Sequence, residues 1–245
     1  MYKKGKNVKL SIVIPCLNEG STIEKTIFMA KNAIAKSGFE GEVVISDNGS
    51  SDNSVAISKT LECRVVHVKE KGYGSALLKG IQAANGQYII IGDADATYDF
   101  RESLSFIRAL KKGADIVIGS RLKGNIMPDA MPFLHRHIGT PFLTFLINIF
   151  FGTRITDVNC GMRAFYKKSF DTLQIVSRGM EFTSEMVIKA KIHRMKIVEI
   201  PITLYPRLHI NKPHLKTWRD GWRHLQLILQ FFFQYRLLKA ESKIL

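Results

Sequence analysis

The stretch Ile89-Ile90-Ile91-Gly92-Asp93-Ala94-Asp95 decides the fold of this chain. Three consecutive isoleucines bounded by glycine predict a short buried strand, because β-branched residues favour strands. The strand ends at two carboxylates, and in an open α/β sheet the carboxyl ends of the strands line the ligand crevice. Two aspartates crowded there repel each other unless a cation lies beside them, and carboxylate oxygens suit Mg²⁺ or Mn²⁺. An Asp-x-Asp pair alone also occurs in solvated turns, so the preceding strand carries the prediction of a metal site.

Composition and charge limit the class of protein. The chain has 245 residues, of which 46% are apolar, enough for one large domain or one domain with an appendage. Its 36 basic and 21 acidic residues give a net charge of +15, which favours an anionic partner: nucleic acid, a phosphorylated ligand or an anionic membrane. Three cysteines without paired spacing (Cys16, Cys63 and Cys160) predict reduced thiols, a cytoplasmic compartment and no zinc site.

Neither a signal peptide nor a membrane-spanning helix is predicted. The basic N-terminus leads into an apolar strand of about six residues, too short for the core of a signal peptide. No run reaches the roughly 18 apolar residues that a spanning helix requires. We therefore expect a cytoplasmic protein, held peripherally on the cytoplasmic face of a membrane if the helices described below bind lipid.

The first 120 residues alternate between strand and helix patterns with short polar joints. The predicted strands are residues 10–14, 42–46, 64–68, 88–91 and 116–118. The predicted helices are 21–36, a helix after Ser51, 74–84 and 103–111. Ser21-x-x-Glu24 has the spacing of a capping box at the start of the first helix. Such alternation predicts right-handed crossovers and a mostly parallel sheet flanked by helices.

Polar clusters follow three of these strands, and a parallel sheet brings them to one edge. They are Pro15-Cys16-Leu17-Asn18-Glu19, Asp47-Asn48-Gly49-Ser50-Ser51-Asp52 and Asp93-Ala94-Asp95. Each alone is ordinary turn chemistry, but three at one edge predict a site for a nucleoside diphosphate. Lys71-Gly72-Tyr73-Gly74 opens a helix, where glycine permits close backbone approach and the amide ends favour an anion. The Gly-x-Gly-x-x-Gly pattern of Rossmann folds is absent.

Taken in order, these motifs resemble family 2 glycosyltransferases of the GT-A fold. Within that family the chain is most similar to the polyprenyl-phosphate (dolichyl-phosphate) mannosyl- and glucosyltransferase branch, over about residues 9–210. The motifs that carry the resemblance are Ser11-Ile12-Val13-Ile14-Pro15-x-x-Asn18-Glu19, Asp47-Asn48-Gly49-Ser50-x-Asp52, Asp93-Ala94-Asp95, Gly119-Ser120-Arg121, Asp157-x-x-Cys160-Gly161-Met162-Arg163-Ala164-Phe165 and Ile197-x-Glu199-Ile200-Pro201-Ile202. The branch usually has Asp-Asp-Gly-Ser where this chain has Asp47-Asn48-Gly49-Ser50. It often has Gln where this chain has Thr97, and some of its members end in spanning helices not found here.

The resemblance implies roles for particular residues. By matching position, Pro15, Asn18, Glu19 and Asp47 are expected to contact the nucleotide, and Asp93 and Asp95 to bind its diphosphate and the Mg²⁺ or Mn²⁺. Two expectations come from the residues themselves: Gly72, at the helix start, is expected to bind the nucleotide, and the Thr97 hydroxyl to be a further metal ligand. Arg121, Arg163 and Arg207 are expected to bind the acceptor phosphate, since guanidinium groups match phosphate oxygens in pairs. Asp95, Arg121 and Arg163 are the expected catalytic residues. Glu181 and Glu185 are expected either to orient these arginines or to favour the helix dipole, and His135-Arg136-His137 is interpreted as a basic surface loop.

Two apolar helical segments are interpreted as lipid-facing. In residues 142–151 the polar positions Thr144 and Asn148 continue a stripe from Thr140. In residues 222–238 the polar line is Arg223, Gln226, Gln230 and Gln234, and Phe231–Phe233 are expected to insert into lipid. Such helices lie in a membrane interface or in a groove between subunits of a homo-oligomer; the alternative is a pair of core helices. We therefore predict a GT-A domain over 1–210 and an amphipathic helix over 211–245.

The function expected from these features is an inverting hexosyl transfer. The donor is a nucleotide-diphosphate sugar, the acceptor is a polyprenyl phosphate, and an anionic membrane surface is the further partner. The alternative is a soluble family 2 enzyme with a saccharide or protein acceptor. A nucleotidyltransferase is disfavoured because residues 15–20 are acidic where that class carries a basic Gly-rich signature. Nucleic-acid binding is not expected, since no recognised motif accompanies the positive charge.

Overall fold

A computed structural model describes residues 8–207 and 216–241, with side chains up to residue 236. Its centre is a seven-stranded sheet with the spatial order β3-β2-β1-β4-β6-β5-β7. The strands are β1 Leu10–Cys16, β2 Gly41–Asp47, β3 Arg64–His67, β4 Tyr88–Ile91, β5 Ile116–Ile126, β6 Arg163–Tyr166 and β7 Ile197–Leu204. Only β6 runs antiparallel to its neighbours, β4 and β5. The predicted α/β fold with a mostly parallel sheet is confirmed.

Eight α-helices surround this sheet in the described part of the chain. They are α1 Ile23–Ser37, α2 Ser54–Thr60, α3 Tyr73–Ala83, α4 Leu104–Lys111, α5 Thr140–Phe151, α6 Lys167–Leu173, α7 Phe182–Ile192 and α8 Thr217–Glu241. The core between helices and sheet consists largely of branched aliphatic and aromatic side chains with little or no exposed surface. The four predicted helices of the first half are present, although α1 begins two residues later than expected.

The predicted capping box at Ser21 is wrong. Thr22 occupies the position before α1, and no side chain there accepts a hydrogen bond from the helix. The Thr22 hydroxyl instead donates to the backbone carbonyl and the carboxylate of Glu19. The turn between β1 and α1 is therefore stabilised by a bond back to Glu19, a residue of the polar cluster that follows β1.

The register of the sheet brings the three polar clusters together. Cys16, the last residue of β1, pairs with Asp47, the last residue of β2. Val13 pairs with Ile91, so β4 ends three residues earlier than β1 along the sheet. All three strands run parallel, and the residues that follow them meet at one edge.

Helix α8 packs against α5 and α7. Its buried stripe is Asp220, His224 and Ile228, with the spacing of one helix face. The predicted domain boundary between residues 210 and 211 lies outside the described residues. Among the helices described, none is both long enough and apolar enough to cross a bilayer.

Candidate active site

A crevice of about 300 Å³ lies at the carboxyl edge of the sheet. It is bounded by the ends of β1, β2 and β4, by the start of α3, and by the first turns of α8. Its lining residues are Pro15, Cys16, Leu17, Asn48, Lys71, Gly72, Tyr73, Ala76, Asp93, Asp95, Gly179, Met180, Arg207, Arg219, Asp220 and Arg223. Burial raises the pKa of the Cys16 thiol to about 11, so no thiolate nucleophile stands here at neutral pH.

Asp93 and Asp95 form the acidic centre of the crevice. The Tyr73 hydroxyl donates to Asp93 Oδ1 at 2.9 Å. Burial and the neighbouring Asp95 carboxylate raise the pKa of Asp93 to about 7. Gly161 lies against the other side of Asp93, and a Cβ atom at this glycine would come within 2.7 Å of Oδ2. The Asp93 carboxylate is therefore held between the Tyr73 hydroxyl and the backbone of Gly161. A nearby cation would stabilise its charged form.

Arg207 supplies a cation to the same centre. Its Nε donates to Asp95 Oδ2 at 2.9 Å. No group of three or more His, Cys, Asp or Glu side chains capable of holding a metal occurs in the described residues. Mg²⁺ is usually held by one or two carboxylates and completed by substrate phosphates and water. Two carboxylates that already attract a guanidinium fit that arrangement.

Thr97, expected from the sequence as a third metal ligand, hydrogen-bonds to Asp95, another of the expected ligands. Thr97 Oγ1 donates to Asp95 Oδ1 at 2.6 Å, and the Thr97 backbone N–H donates to the same oxygen. Thr97 does not line the crevice. Its hydroxyl therefore positions the Asp95 carboxylate.

The end of β2 is a rigid turn. The Asp47 carboxylate accepts hydrogen bonds from the backbone of Gly49 and Ser50, and His67 Nδ1 lies 3.1 Å from it. Burial alone would raise the pKa of Asp47, but the hydrogen bonds outweigh it and the pKa lies below its usual value. Asp47 is 3% exposed, does not line the crevice, and makes its hydrogen bonds within this turn and to His67.

Asn48 explains one departure from the expected sequence motif. Its amide nitrogen donates to the carbonyls of Val68 and Glu70, while its amide oxygen accepts from the Gly72 N–H at 2.8 Å. A carboxylate at this position could accept one bond but could not donate two. The amide therefore shapes the loop that carries Lys71 and Gly72.

Asn18 and Glu19 connect two of the polar clusters. Asn18 Oδ1 accepts from the Ser51 N–H at 2.8 Å, and the Glu19 N–H donates to Ser54 Oγ. Neither side chain lines the crevice, whereas Pro15 does. The structure places these three residues at the carboxyl edge of the sheet, where Asn18 and Glu19 hydrogen-bond to other parts of the protein.

Gly72 lies where no other residue fits. Its φ is 135°, in the region that favours glycine, and a Cβ atom would collide with the Arg178 carbonyl. The loop before α7 therefore covers the start of α3 and is further tied to it by an ion pair between Arg178 and Glu70. Tyr73, at the start of α3, and Met180, in the covering loop, both line the crevice.

A second cavity of about 150 Å³ shares that wall. Tyr73, Met180 and Asp220 line both cavities. Arg121 lines the second one, held by two 2.7 Å hydrogen bonds from its guanidinium to the fully buried Asp157 carboxylate. The remaining lining is mixed: Met131, His135, Gly139, Thr140, Leu143, Asn159, Thr183, Thr217, Gly221 and His224.

Arg163 is not where the sequence predicted it. Its side chain has no exposed surface, and its guanidinium donates to the carbonyls of Cys160, Thr183 and Val158. Burial lowers the pKa of this arginine below its usual value. Arg163 therefore holds β6 to neighbouring backbone, and the predicted contact with an acceptor phosphate is corrected to a structural role. Of the three predicted arginines, the structure brings Arg121 and Arg207 to the cavities.

Glu181, Glu185 and His135 each have a defined partner in the structure. Glu181 accepts from Arg223, and Glu185 accepts from the backbone of Val176 and Ser177. Neither glutamate orients the arginines named from the sequence. His135 lies in a π-helical turn before α5 and pairs with Thr217 at 3.0 Å.

Four lining residues were not among the residues predicted for the site: Met180, Arg219, Asp220 and Arg223. Lys71 and Tyr73 were predicted only as neighbours of Gly72 at the start of a helix. The α8 residues had a usable signal, since Arg219 and Arg223 are four residues apart and share one helix face. Their nearness to tryptophans favoured a lipid interpretation instead. Met180 carried no signal, because its position depends on the loop before α7.

Comparison of the sequence with known proteins gives consistent matches. The sequence model of the family described as glycosyl transferase family 2 matches residues 11–174. The low-salt glycan biosynthesis hexosyltransferase Agl6 of Haloferax volcanii is 40% identical over 221 residues, which cover 90% of this chain and 53% of that protein. The dolichol-phosphate mannosyltransferase of Pyrococcus furiosus is 27% identical over 97% of this chain and 66% of its own. The chain thus spans about half to two thirds of these relatives.

Solved structures share the fold. Glucosyl-3-phosphoglycerate synthase from Mycobacterium tuberculosis, crystallised with Mn²⁺, UDP and phosphoglyceric acid, superimposes with a TM-score of 0.74 over 92% of this chain and 78% of that one. The same enzyme with Mg²⁺ and UDP gives 0.73 over 91% and 79%. Sequence identity is 18% in both cases, so the likeness concerns the fold alone.

Proposed function

Because this chain belongs to glycosyltransferase family 2, we propose that it transfers a hexose from a nucleotide-diphosphate sugar to a polyprenyl phosphate, with inversion at the anomeric carbon. The observation that carries the proposal is the pair of cavities with a common wall. One contains the Asp93 and Asp95 carboxylates, and the other contains Arg121. A donor diphosphate and an acceptor phosphate can thus lie on opposite sides of Tyr73.

The first cavity suits the donor. Asp93 and Asp95 would hold Mg²⁺ or Mn²⁺, which neutralises charge on the diphosphate as it leaves. The synthase of similar fold was crystallised with either ion and UDP, which supports this choice. Tyr73 and Thr97 keep the two carboxylates in place through their hydroxyl groups. Arg207 is paired with Asp95 in the structure, so it would lie beside the bound metal.

The reaction itself needs no nucleophilic side chain. A phosphate acceptor is already an anion at neutral pH, so it must be positioned more than deprotonated. Its oxygen forms a bond to the anomeric carbon while the bond from that carbon to the diphosphate breaks. Arg121 would hold the acceptor phosphate, since Asp157 fixes two of its nitrogens and leaves Nη1 without a hydrogen bond in the described residues.

The lipid nature of the acceptor is supported by the orientation of α5. Its polar stripe faces the protein: Thr144 Oγ1 accepts from the Val158 N–H, and Asn148 bonds to Thr153 and Ile155. Its apolar stripe faces outward, with Phe142 51%, Phe145 57% and Ile149 60% exposed. An outward apolar face on a helix that also lines the second cavity is what a bound lipid chain requires.

Helix α8 adds a second outward stripe of Trp218, Trp222, Leu229 and Phe233. Phe231 and Phe232 do not belong to it, because they pack against the core and Phe232 stacks on Phe150 at 4.2 Å. This corrects the expectation that Phe231–Phe233 all insert into lipid. We propose peripheral attachment to an anionic membrane through these stripes, with nearby cations such as Arg136 and Arg236.

Product analysis tests the proposal. The protein is incubated with Mn²⁺ and a panel of sugar nucleotides, with polyprenyl phosphate, an oligosaccharide or an acceptor peptide offered separately. A hexose added to the lipid phosphate, detected by mass spectrometry, is the expected product. Transfer to the oligosaccharide or peptide alone would favour the alternative of a family 2 enzyme with a non-lipid acceptor and would overturn the proposal.

A further inference from the structure

The first turns of α8 contribute charged side chains to the donor crevice. Arg219, Asp220 and Arg223 all line it, and Asp220 also lines the second cavity. These residues lie beyond the part of the chain that the family model matches, which ends at residue 174. A helix interpreted from its sequence as a membrane attachment thus forms a wall of the crevice.

This wall is rigid. Asp220 Oδ2 accepts from the Lys216 N–H at 2.7 Å, which closes the first turn of the helix. His224, one turn later, pairs with Ser184 of α7 at 2.7 Å, and Ile228 is fully buried. Arg223 is tied to α7 through Glu181 at 2.8 Å. The backbone that carries Arg219 and Arg223 is therefore held in place before any ligand binds.

The charges of the crevice leave a role for the two arginines. Its lining carries four cations, Lys71, Arg207, Arg219 and Arg223, and three carboxylates, Asp93, Asp95 and Asp220. Lys71 already donates to the Asn48 carbonyl at 2.7 Å, and Arg207 is paired with Asp95. A divalent metal is offset by the two aspartates that hold it, so the charge of a diphosphate still needs cations from the protein.

Arg219 and Arg223 have unused donors for that purpose. Within the described residues, Arg223 bonds through Nη2 alone, and Arg219 reaches only its neighbour Asp220 at a long 3.3 Å. We propose that Arg219 and Arg223 are donor-binding residues that contact the diphosphate of the nucleotide sugar. The assignment rests on the proposed function, since it takes the donor to be a nucleotide-diphosphate sugar.

Binding measurements without any acceptor or membrane test this assignment. UDP and GDP are titrated by calorimetry, with Mn²⁺, into the full chain and into the variants Arg219→Gln and Arg223→Gln. Each variant should weaken binding about tenfold, because a charged hydrogen bond to phosphate is lost. The loss should be smaller for the corresponding monophosphates. Arg236→Gln is the control: Arg236 lies on the same helix, stacks on Phe232 at 5.1 Å and does not line the crevice.

A folding defect is separated from a lost contact by a fourth variant. Glu181→Gln weakens the same bridge between α7 and α8 but leaves the guanidinium of Arg223 in place. Glu181→Gln should retain its affinity for the diphosphate. If Glu181→Gln and Arg223→Gln instead lose the same amount of affinity, the bridge is purely structural and the role of Arg223 is overturned. Unchanged affinity in both arginine variants would overturn the assignment alone. Failure of the unmodified protein to bind either nucleoside diphosphate would overturn the proposed function as well.

Discussion

At the scale of single residues, the two aspartates after β4 carry the proposed chemistry. Asp95→Asn should abolish hexosyl transfer, because an amide is a far weaker metal ligand than a carboxylate. The melting temperature should change little, since the side chain lies at the crevice and outside the apolar core. Excess EDTA should stop the unmodified protein in the same way.

The matched control for this variant is Asp171→Asn, an exposed position on α6. It should retain full activity. Full turnover of the unmodified protein in excess EDTA would show that no divalent ion is needed, and the roles given to Asp93 and Asp95 would then be wrong.

Replacing Arg163 distinguishes a structural role of its buried guanidinium from a role in binding the acceptor. Arg163→Ala should lower the free energy of unfolding by about 3 kcal/mol or more, because three buried carbonyls lose a charged donor. Arg108→Ala, at an exposed position of α4, should change it by less than about 0.5 kcal/mol. Urea titration followed by circular dichroism measures both. A stable Arg163→Ala protein that has lost only its use of the acceptor would restore the original prediction.

At the scale of secondary-structure elements, the docking of α8 should depend on pH. Burial lowers the pKa of His224 to about 4, against about 6.5 in an unfolded chain. Below pH 6.5 the unfolded state therefore binds a proton that the folded state excludes. The stabilisation is complete above pH 6.5 and is lost as pH falls towards 4, by about 3 kcal/mol in total.

The variant His224→Asn isolates this contribution, because asparagine keeps a polar group near Ser184 but does not titrate. Between pH 7 and pH 4 the unmodified protein should lose about 3 kcal/mol more unfolding free energy than the variant. Equal losses in urea titrations of the two proteins would contradict the burial of a neutral histidine between α7 and α8.

The outward stripe of α5 should govern attachment to lipid. Phe145→Gln together with Ile149→Gln should reduce co-flotation with anionic vesicles, since two exposed apolar side chains are lost from the interface. Nucleotide binding should persist, because neither residue lines the donor crevice. Phe28→Gln on α1 is the control, with an exposed fraction of 51% close to that of Phe145. Equal flotation of all three proteins would contradict a lipid-facing role for α5.

Helix α8 combines two roles that its sequence does not separate. Its exposed stripe includes Trp218 and Trp222, while Arg219 and Arg223 reach the donor crevice. Truncation after Pro213, a residue outside the described ranges, would remove both features. Loss of sugar-nucleotide binding in such a truncation is therefore expected along with loss of lipid binding, in contrast to what the apolar pattern alone suggests.

At the scale of the whole molecule, the fold was predictable from the sequence, and so was the sheet edge at which the candidate site lies. The runs of β-branched residues define the strands, and parallel pairing necessarily brings Asp47 and Asp93 to one edge. The burial of Arg163 was not predictable, because one of its carbonyl partners, Thr183, lies 20 residues further along the chain and reaches it only through the tertiary fold. Which face of α5 points outward depends in the same way on the tertiary fold, because the loop at residues 152–159 hydrogen-bonds to the polar side chains Thr144 and Asn148.

The central claim is that a phosphate on a lipid chain accepts the hexose, and a competition between two lipids tests it most directly. Polyprenyl phosphate and a polyprenol of the same length are offered together in one vesicle preparation, with Mn²⁺ and the sugar nucleotide that the protein uses. Mass spectrometry should find the hexose only on the phosphorylated lipid, and NMR should show the anomeric configuration inverted relative to the donor. Hexose on the polyprenol, or release of free sugar without any lipid product, would contradict the account.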